Sequence, residues 1–453
     1  MTDTPVTRRL KIMLVHPGPE PAPGESNLPV GLLALGAVLR KEHDVTIRDW
    51  IYERWTDEQF IDDILRHGYD MVGITTMTWQ VHRAYELVNL IKKAKPDLPV
   101  ILGGVHPTSL PQEVFDMSEA DFVCDGEGEE TLAELLRVCF SGGDLSQVRG
   151  LWLKDADGKA HFTGRRPLLD IQTLPEPARD MMPVSRTLEN GKINPAIYDM
   201  GAVMFSRGCW SDCDFCASPS FWRRKVRMRT VDQMVDEMKG IKEEYGLSSF
   251  RIQDDIFTSR KKSLLEFCER IRPFRITYTC LARTDQMTRE KLVALKESGC
   301  VLVSYGVESG NQEILKKENK KQDLEQVRSV FALHHAEKVP MCALIIVGHV
   351  GETVQSLRDT YELIKAIKPT WTLPQFMCPY PGSALHYEKI AENTGTITTR
   401  DYRDYVNMEQ PIYIPKGLTA ELMFEWRNKI RSLNPENPMK IAEEWVSTYL
   451  HKK

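Results

Sequence analysis

The chain has 453 residues, of which 42% are hydrophobic and 27% are charged, and its formal net charge at pH 7 is −5. This length predicts two or three domains, and this charge gives no basis for binding nucleic acid or a membrane surface. No apolar run approaches the ~20 residues that a bilayer span requires, and residues 1–17 contain no apolar signal-peptide core. We therefore expect a cytoplasmic protein whose ten cysteines stay reduced and form no disulfide framework.

The first third of the chain alternates short apolar runs with amphipathic stretches. Strands that are apolar along their whole length and are separated by helices are typical of a buried parallel sheet. Residues 1–143 are therefore predicted to form a doubly wound α/β domain, and residues 144–202 a hairpin followed by a proline-rich connector. The predicted strands cover 10–17, 44–50, 70–78, 99–107 and 120–126, and predicted helices include 31–41, 79–94 and 128–140.

The same alternation resumes at residue 203 and repeats about six times. Six successive βα units predict a partial barrel over 203–385, with its chemistry at the carboxyl ends of the strands. Residues 386–453 are predicted to form a small helical extension. The predicted barrel strands are 203–206, 248–255, 275–281, 300–306, 340–347 and 371–376, and the helices between them are 230–245, 260–271, 287–298, 321–337 and 353–366.

Three cysteines, Cys209, Cys213 and Cys216, follow the first predicted barrel strand. A disulfide would leave one cysteine over, and structural zinc requires a fourth ligand, which only a residue distant in the sequence could supply. Three unrelated core cysteines are a poor match to this polar, glycine-flanked segment. A 4Fe–4S cluster normally takes four cysteines, so three cysteines favour a cluster with one iron open to another molecule. Zinc and core packing stay as alternatives.

The spacing Cys209-x3-Cys213-x2-Cys216, with Phe215 before the last cysteine, resembles the motif of radical S-adenosylmethionine enzymes. The resemblance implies that the open iron chelates the amino and carboxylate groups of S-adenosylmethionine. The reduced cluster then cleaves this cofactor to methionine and a 5′-deoxyadenosyl radical, which abstracts a hydrogen atom. The protein itself supplies positioning and exclusion of water.

Later strand ends carry the residues that this resemblance requires. It implies that Asp254 and Asp255 hold the cofactor's ammonium group and that Arg283 pairs with its carboxylate. The alternatives are that the two aspartates cap the next helix and that Arg283 forms a surface salt bridge. The implied contacts in full are Phe215 beside the cluster, Asp254, Asp255, Arg283, Ser304 and Glu308 at the ribose, Ile346 against the adenine, and Gly348, where backbone approaches the ligand.

The run 222–229 after the cysteines is strongly basic. Its plainest interpretation is a solvated face. The functional interpretations are charge compensation near an anionic cluster, or docking of an acidic electron donor such as flavodoxin or ferredoxin.

The N-terminal domain contains neither a dinucleotide-binding glycine loop nor a phosphate-binding loop. The loops after its predicted strands, above all 103–136, resemble the flavodoxin-like cobalamin-binding domain that precedes many radical S-adenosylmethionine barrels. The Asp-x-His-x-x-Gly motif that supplies a cobalt ligand elsewhere is absent, so the cobalt would lack a protein imidazole below it. Candidate cobalamin contacts are Thr75, Thr76, Gly103, Gly104 and His106, with His16 as a further one; tight packing and loop structuring are their alternative roles.

These features together favour a cobalamin-dependent radical S-adenosylmethionine enzyme, most simply a methyltransferase acting on an unactivated carbon or a phosphinate phosphorus of a small molecule. A radical cyclase or rearrangement enzyme of the same architecture, similar to the anaerobic Mg-porphyrin cyclase, is the first alternative. A non-catalytic corrinoid-binding protein and a structural zinc protein are the others. Trp371, Gln375 and Tyr380 are candidate substrate contacts.

Overall fold

A computed structural model describes residues 8–18, 28–53, 55–182, 200–386, 394–405 and 410–436. The chain divides into two units, Met1–Glu189 and Asn190–Lys453. The finer division predicted at residues 143, 202 and 385 stays a proposal. Among the described residues, no helix combines the length and the apolar character needed to span a membrane.

The described residues of the first unit form seven strands and seven α-helices. The strands are β1 (Lys11–His16), β2 (Asp44–Asp49), β3 (Met71–Thr75), β4 (Val100–Gly103), β5 (Phe122–Cys124), β6 (Leu151–Lys154) and β7 (Ala160–Phe162). The helices are α1 (Val30–Leu39), α2 (Trp50–Glu53), α3 (Asp57–His67), α4 (Val81–Ala94), α5 (Val105–Ser109), α6 (Pro111–Met117) and α7 (Glu129–Ser141).

The strands of this unit form one sheet in the order β2-β1-β3-β4-β5-β6-β7. The first five are parallel, and β6 and β7 are antiparallel. β1 is buried along Ile12–Val15 and β3 along Met71–Ile74, as expected for strands covered on both faces. The doubly wound prediction is confirmed. The order reverses between β1 and β3, and ligands of such sheets bind beyond the carboxyl ends of the strands at that position.

The second unit continues the chain with β8 to β17 and α8 to α15. Its strands are β8 (Met200–Val203), β9 (Ser206–Arg207), β10 (Arg227–Met228), β11 (Ser249–Ile252), β12 (Thr277–Ala282), β13 (Cys300–Glu308), β14 (Met341–Val347), β15 (Trp371–Phe376), β16 (Gly395–Ile397) and β17 (Tyr413–Pro415). Its helices are α8 (Ser218–Trp222), α9 (Val231–Tyr245), α10 (Lys261–Ile271), α11 (Arg289–Glu297), α12 (Gln312–Lys317), α13 (Leu324–Glu337), α14 (Val354–Ile367) and α15 (Ala420–Arg431).

Six parallel strands form the main sheet of this unit in the order β15-β14-β13-β12-β11-β8. Each neighbour is the next strand of this sheet along the chain, with helices between them, and β9 and β10 pair separately after β8. The partial (β/α)6 barrel is confirmed. The first barrel strand is β8, Met200–Val203, and it begins three residues before the predicted range 203–206. The chain leaves the sheet after Val203, because the Phe205 amide donates to the Asp254 carboxylate at 2.7 Å and so bonds to no neighbouring strand.

The C-terminal extension contains more than the predicted helix. β16 and β17 form an antiparallel pair, and α15 packs against β15 at the edge of the main sheet. Beyond α15, the Asn434 side-chain amide accepts from the Thr372 amide at 2.7 Å and donates to the Thr372 carbonyl at 2.9 Å. The extension therefore covers the last strand of the barrel.

Candidate functional site

The three predicted cysteines lie on one loop between β9 and α8. The backbone amide of Ser211 lies 3.3 Å from the Cys209 sulfur, and that of Ser218 lies 3.4 Å from the Cys216 sulfur. Amide donors of this kind stabilise negative charge on sulfur at iron–sulfur sites. The loop thus offers the sulfurs the environment of thiolate ligands.

Electrostatics at this loop fit a metal cluster as well. Burial raises the pKa of the Cys213 thiol, and burial raises that of Cys216 to about 12. Because thiolates are the metal-ligating form, binding a cluster here releases protons that burial otherwise retains. The charges of Lys320 and Arg283 lower the pKa of Cys213, so the surroundings compensate a thiolate-bound cluster. Three cysteines on one loop are the donor set that a 4Fe–4S cluster with one open iron requires, and their role as its ligands stays a prediction.

Asp254 bonds to other residues of the protein, whereas its predicted role was to bind the cofactor's ammonium group. It is buried, and its carboxylate accepts from the Phe205 amide at 2.7 Å and the Ser206 hydroxyl at 2.5 Å. It does not cap the next helix, because Arg260 stands at the N-terminus of α10. Asp254 joins the end of β11 to the chain leaving β8, and a contact with the cofactor's ammonium group stays a prediction.

Asp254 gives the protein a defined pH dependence of stability. Burial raises the pKa of this carboxyl from 3.8 to about 7. The unfolded chain releases the proton near pH 3.8, whereas the folded protein holds it until about pH 7. The free energy of unfolding therefore falls as pH rises between these values, by up to about 1.4 kcal/mol per pH unit. Urea unfolding from pH 5 to 7 should show a steeper loss of stability in the wild type than in Asp254→Asn. Parallel pH profiles would contradict this assignment.

Asp255 is the accessible member of the pair. It is exposed, and its carboxylate accepts from the Ser218 hydroxyl at 3.0 Å. Ser218 also supplies the amide that bonds to Cys216, so Asp255 lies beside the cysteine loop. A carboxylate in this position is open to a cationic ligand group, which Asp254 is not.

Arg283 is buried, and most of its donors are already used. It makes two bonds to Asp285, at 3.0 and 2.9 Å, and donates to the Ser211 hydroxyl at 2.9 Å and the Lys320 carbonyl at 3.1 Å. Four of its five N–H groups are engaged, which leaves one for a ligand carboxylate. Its salt bridge is therefore internal, and it ties β12 to the cysteine loop.

Glu308 ends β13 in a left-handed conformation, with φ of 63°, which is uncommon for a non-glycine residue. Its carboxylate forms a buried salt bridge with Lys320 at 2.8 Å. Ser304 lies four residues earlier, inside β13 opposite Cys342, so it is not at the end of the strand. The sequence did not indicate Lys320, because it lies in a lysine-rich run that looks solvated throughout.

The end of β14 brings together Ile346, Gly348 and a buried polar group. Ile346 and Phe215 pack against Met377 and Tyr413. Gly348 has φ of 101°. The backbone amides of Gly348 and His349 donate to Glu352, which is therefore part of this loop and does not begin α14.

The sequence also gave no indication of His349. It is fully buried, 3.3 Å from the Glu318 carboxylate, and its ring lies 6.3 Å from that of Phe215. Burial lowers the pKa of His349, but the neighbouring carboxylates of Glu318, Glu352 and Glu308 raise it to a net upward shift. The imidazole lies beside Phe215 of the cysteine loop and among several carboxylates.

In the first unit, the candidate cobalamin residues lie at the carboxyl ends of β3 and β4. Thr75 pairs with Gly103, and a Cβ on Gly104 would lie 2.5 Å from the carbonyl oxygen of Thr76. Gly104 thus permits close packing of the two loops, which is the role that the sequence offered as the alternative to a cobalamin contact.

The two histidines of this unit are held by other side chains. His106 is buried, 3.2 Å from the Glu113 carboxylate. His16, at the end of β1, lies 3.1 Å from both Asp49 and the Gln80 amide. Both rings structure the loops at this edge of the sheet, and their contact with cobalamin stays a prediction.

Two protein families match the sequence. Residues 24–136 match the B12 binding domain, and residues 203–364 match the Radical SAM superfamily. An uncharacterised methyltransferase of Pyrococcus horikoshii is 31% identical over 424 residues, which cover 91% of this chain and 89% of that protein. The chain is a cobalamin-binding radical S-adenosylmethionine protein. Its cofactors are those of this family, as the sequence predicted: a 4Fe–4S cluster, S-adenosylmethionine and cobalamin.

Other members of the family differ in their reactions. Cytidylyl-2-hydroxyethylphosphonate methyltransferase of Streptomyces wedmorensis is 28% identical, with 79% of this chain and 78% of that protein covered. Anaerobic magnesium-protoporphyrin IX monomethyl ester cyclase of Rubrivivax gelatinosus is 26% identical, with 90% and 74% covered. The radical S-adenosylmethionine methyltransferase TsrM of Kitasatospora setae, solved with cobalamin and a 4Fe–4S cluster, has a TM-score of 0.75 at 17% identity, over 95% of this chain and 90% of that one. This last likeness shows the shared fold.

Proposed function

We propose that this radical S-adenosylmethionine protein is a cytoplasmic methyltransferase that acts on an unactivated carbon or a phosphinate phosphorus of a small molecule. The observation that supports it is the presence, in one chain, of the three-cysteine loop and the B12 binding domain, together with methyltransferases among its relatives. When bound, the cluster and S-adenosylmethionine supply a 5′-deoxyadenosyl radical, and cobalamin supplies the methyl group.

The chain's own residues bind and orient these groups. Cys209, Cys213 and Cys216 would hold the cluster. Asp255, the exposed carboxylate beside the loop, would accept the ammonium group of S-adenosylmethionine, and Arg283 would offer its remaining N–H to the carboxylate. The apolar side chains of Phe215 and Ile346 would exclude water next to them.

In the first unit, the two candidate histidines are held by other side chains. His16 uses both ring nitrogens, one at Asp49 and one at Gln80, and His106 is buried with Nε2 at Glu113, which supports loop-structuring roles for both rings. Thr75, Thr76, Gly103 and Gly104 lie at the carboxyl ends of β3 and β4, where open α/β sheets bind their ligands.

Two of the three candidate substrate contacts are poorly placed. Trp371 begins β15, so it lies at the amino end of a strand whose carboxyl end faces the chemistry. The Tyr380 hydroxyl donates to the Tyr405 carbonyl at 3.0 Å. Gln375, near the carboxyl end of β15, is the one we retain.

Anaerobic reconstitution with iron, sulfide, cobalamin, S-adenosylmethionine and a reductant tests the proposed reaction. Formation of both 5′-deoxyadenosine and S-adenosylhomocysteine in the presence of substrate is expected. Deoxyadenosine without S-adenosylhomocysteine, with the true substrate present, would contradict methyl transfer and favour the cyclase chemistry of the Rubrivivax relative. No cleavage of S-adenosylmethionine by protein with a full cluster would rule out radical chemistry.

A flavodoxin or ferredoxin is our proposed electron donor, docking beside the cysteine loop. Trp210, next to Cys209 in sequence, is 39% exposed and lines an open cavity of about 490 Å³ together with Val226 and Arg260. Arg260 and Lys225 are exposed, and neither pairs with a carboxylate in the described part of the chain. An exposed aromatic side chain beside one exposed cation, with a second exposed cation next to Val226 in sequence, suits a small acidic protein.

Reversing these two charges should slow electron delivery selectively. Lys225→Glu/Arg260→Glu is expected to lower the rate of cluster reduction by reduced flavodoxin about tenfold at low salt, with a smaller effect at high salt. Reduction by dithionite, a small inorganic anion that needs no docking surface, should change far less. Lys365→Glu/Lys416→Glu, which reverses two exposed charges elsewhere, is the matched control. Equal rates with flavodoxin in all three proteins would exclude this surface.

A further inference from the structure

The segment Glu318–Lys320, directly after α12, is hydrogen-bonded to the cysteine loop. The Glu318 carbonyl accepts from the Asp214 amide at 3.1 Å. The Asn319 side-chain amide donates to the Asp212 carbonyl at 2.8 Å, and Asn319 holds φ of 52° to do so. Since Asp212 and Asp214 flank Cys213, these bonds fix the backbone on both sides of the central cysteine.

Lys320, the last residue of this segment, adds a buried cation next to the loop. Its side chain is 8% exposed, its ammonium group lies 5.7 Å from the centre of the Phe215 ring, and its carbonyl accepts from Arg283. Its partner is Glu308 at 2.8 Å. Burying an ion pair is costly, and such a pair is seldom kept for stability alone. Lys320 contacts the cysteine loop, and beyond the charge compensation noted above no role described so far uses it.

A fixed charge at this position acts on electron transfer. Reducing the cluster adds one electron, and therefore one negative charge, to the loop that Lys320 contacts. A buried cation is weakly screened and favours the more negative state. The ammonium group lies 5.7 Å from the ring of Phe215, the residue directly before Cys216, so its charge acts on the loop that carries the sulfur ligands.

We propose that Lys320 is a positioning residue that raises the reduction potential of the cluster, so that a biological one-electron donor can reduce it. This inference rests on the proposed function only in requiring a 4Fe–4S cluster on the cysteine loop. Glu308 opposes the effect, because it sets a negative charge beside the ammonium group.

Redox titration of the reconstituted protein, followed by the electron paramagnetic resonance signal of the reduced cluster, tests the proposal. At a fixed potential, Lys320→Met should lower the ratio of reduced to oxidised cluster about tenfold, which is a fall of about 59 mV for a one-electron couple. Lys320→Arg, which keeps the charge, should restore the ratio. Glu308→Gln should raise it. Lys316→Met is the matched control, because Lys316 is an exposed lysine of the neighbouring helix and solvent screens its charge.

The outcomes separate this proposal from the one on which it rests. Wild-type protein without iron after reconstitution would mean that the cluster itself is wrongly assigned. Full iron with unchanged potentials in Lys320→Met and Glu308→Gln would overturn the role of Lys320. Loss of the cluster from both variants, with Lys316→Met intact, would overturn it too, since Lys320 would then serve folding alone. If Lys320→Met loses its cluster, a raised potential in Glu308→Gln still supports the proposal.

Discussion

Replacing Cys213 with alanine is expected to abolish cluster binding and, with it, the formation of 5′-deoxyadenosine. Cys213 is the most deeply buried of the three cysteines, at 6% exposure, and the segment Glu318–Lys320 fixes the loop on both sides of it. A cluster that normally takes four cysteines and has three here cannot be held by the two remaining thiolates, so the reconstituted variant should contain almost no iron or sulfide and lack the brown visible absorbance.

Cys268→Ala serves as the control for this variant. Cys268 is equally buried, but it lies in α10 with its sulfur 3.8 Å from the Tyr278 hydroxyl. Its removal should cost some stability and leave about four iron atoms per chain. Full iron and activity in Cys213→Ala would refute the ligand assignment. Loss of iron from both variants would point to a general folding defect.

Gly310→Ala is expected to lower the free energy of unfolding by about 3 kcal/mol. Gly310 follows β13 closely and lies against the backbone of α14, where its amide donates to the Thr360 hydroxyl at 2.9 Å. An added Cβ would lie 2.5 Å from the Thr360 Cα and 2.6 Å from the Asp359 carbonyl oxygen. Rotation of a side chain cannot relieve a clash with helix backbone, so the loop must move and Glu308 must move with it.

Gly240→Ala is the matched comparison, and it should change stability in the opposite direction. Gly240 lies inside α9, and an added Cβ there meets nothing within 4 Å. Replacing a helical glycine with alanine stabilises a protein by about 0.5–1 kcal/mol. Urea unfolding of both variants measures the two effects. Equal stabilities for Gly310→Ala and the wild type would show that the loop after β13 accommodates the methyl group freely.

Much of the fold could be predicted because parallel strands buried on both faces have a distinctive composition. β14, with the sequence MCALIIV, and β3, with MVGIT, are continuous apolar runs. α3 was missed because only Phe60 and Ile64 of its eleven residues are buried, so its apolar stripe is narrow. β16 and β17 have three residues each, too few to show a period.

The candidate site was predictable only where the chemistry lies in local spacing. Cys209, Cys213 and Cys216 are close in sequence, and their pattern alone indicated the cluster. Lys320 and His349 reach the cysteine loop at Phe215, which lies more than 100 positions earlier in the chain. No local pattern distinguishes either residue from ordinary surface or core residues. The partners of Asp254 and Arg283 are likewise set by folding. For this reason most of the side-chain atoms that were expected to bind the cofactor already bond to other residues of the protein.

The bonds between Asn434 and Thr372 have a consequence for association between copies of the chain. β15 is the outermost strand of the main sheet, and an open strand edge invites pairing with another molecule. Asn434 occupies the outward amide and carbonyl of Thr372. Two residues on, at the position whose amide would also point outward, stands Pro374, which has no N–H to donate. Intermolecular sheet extension, and the aggregation that follows from it, is thus blocked at two successive positions along this edge.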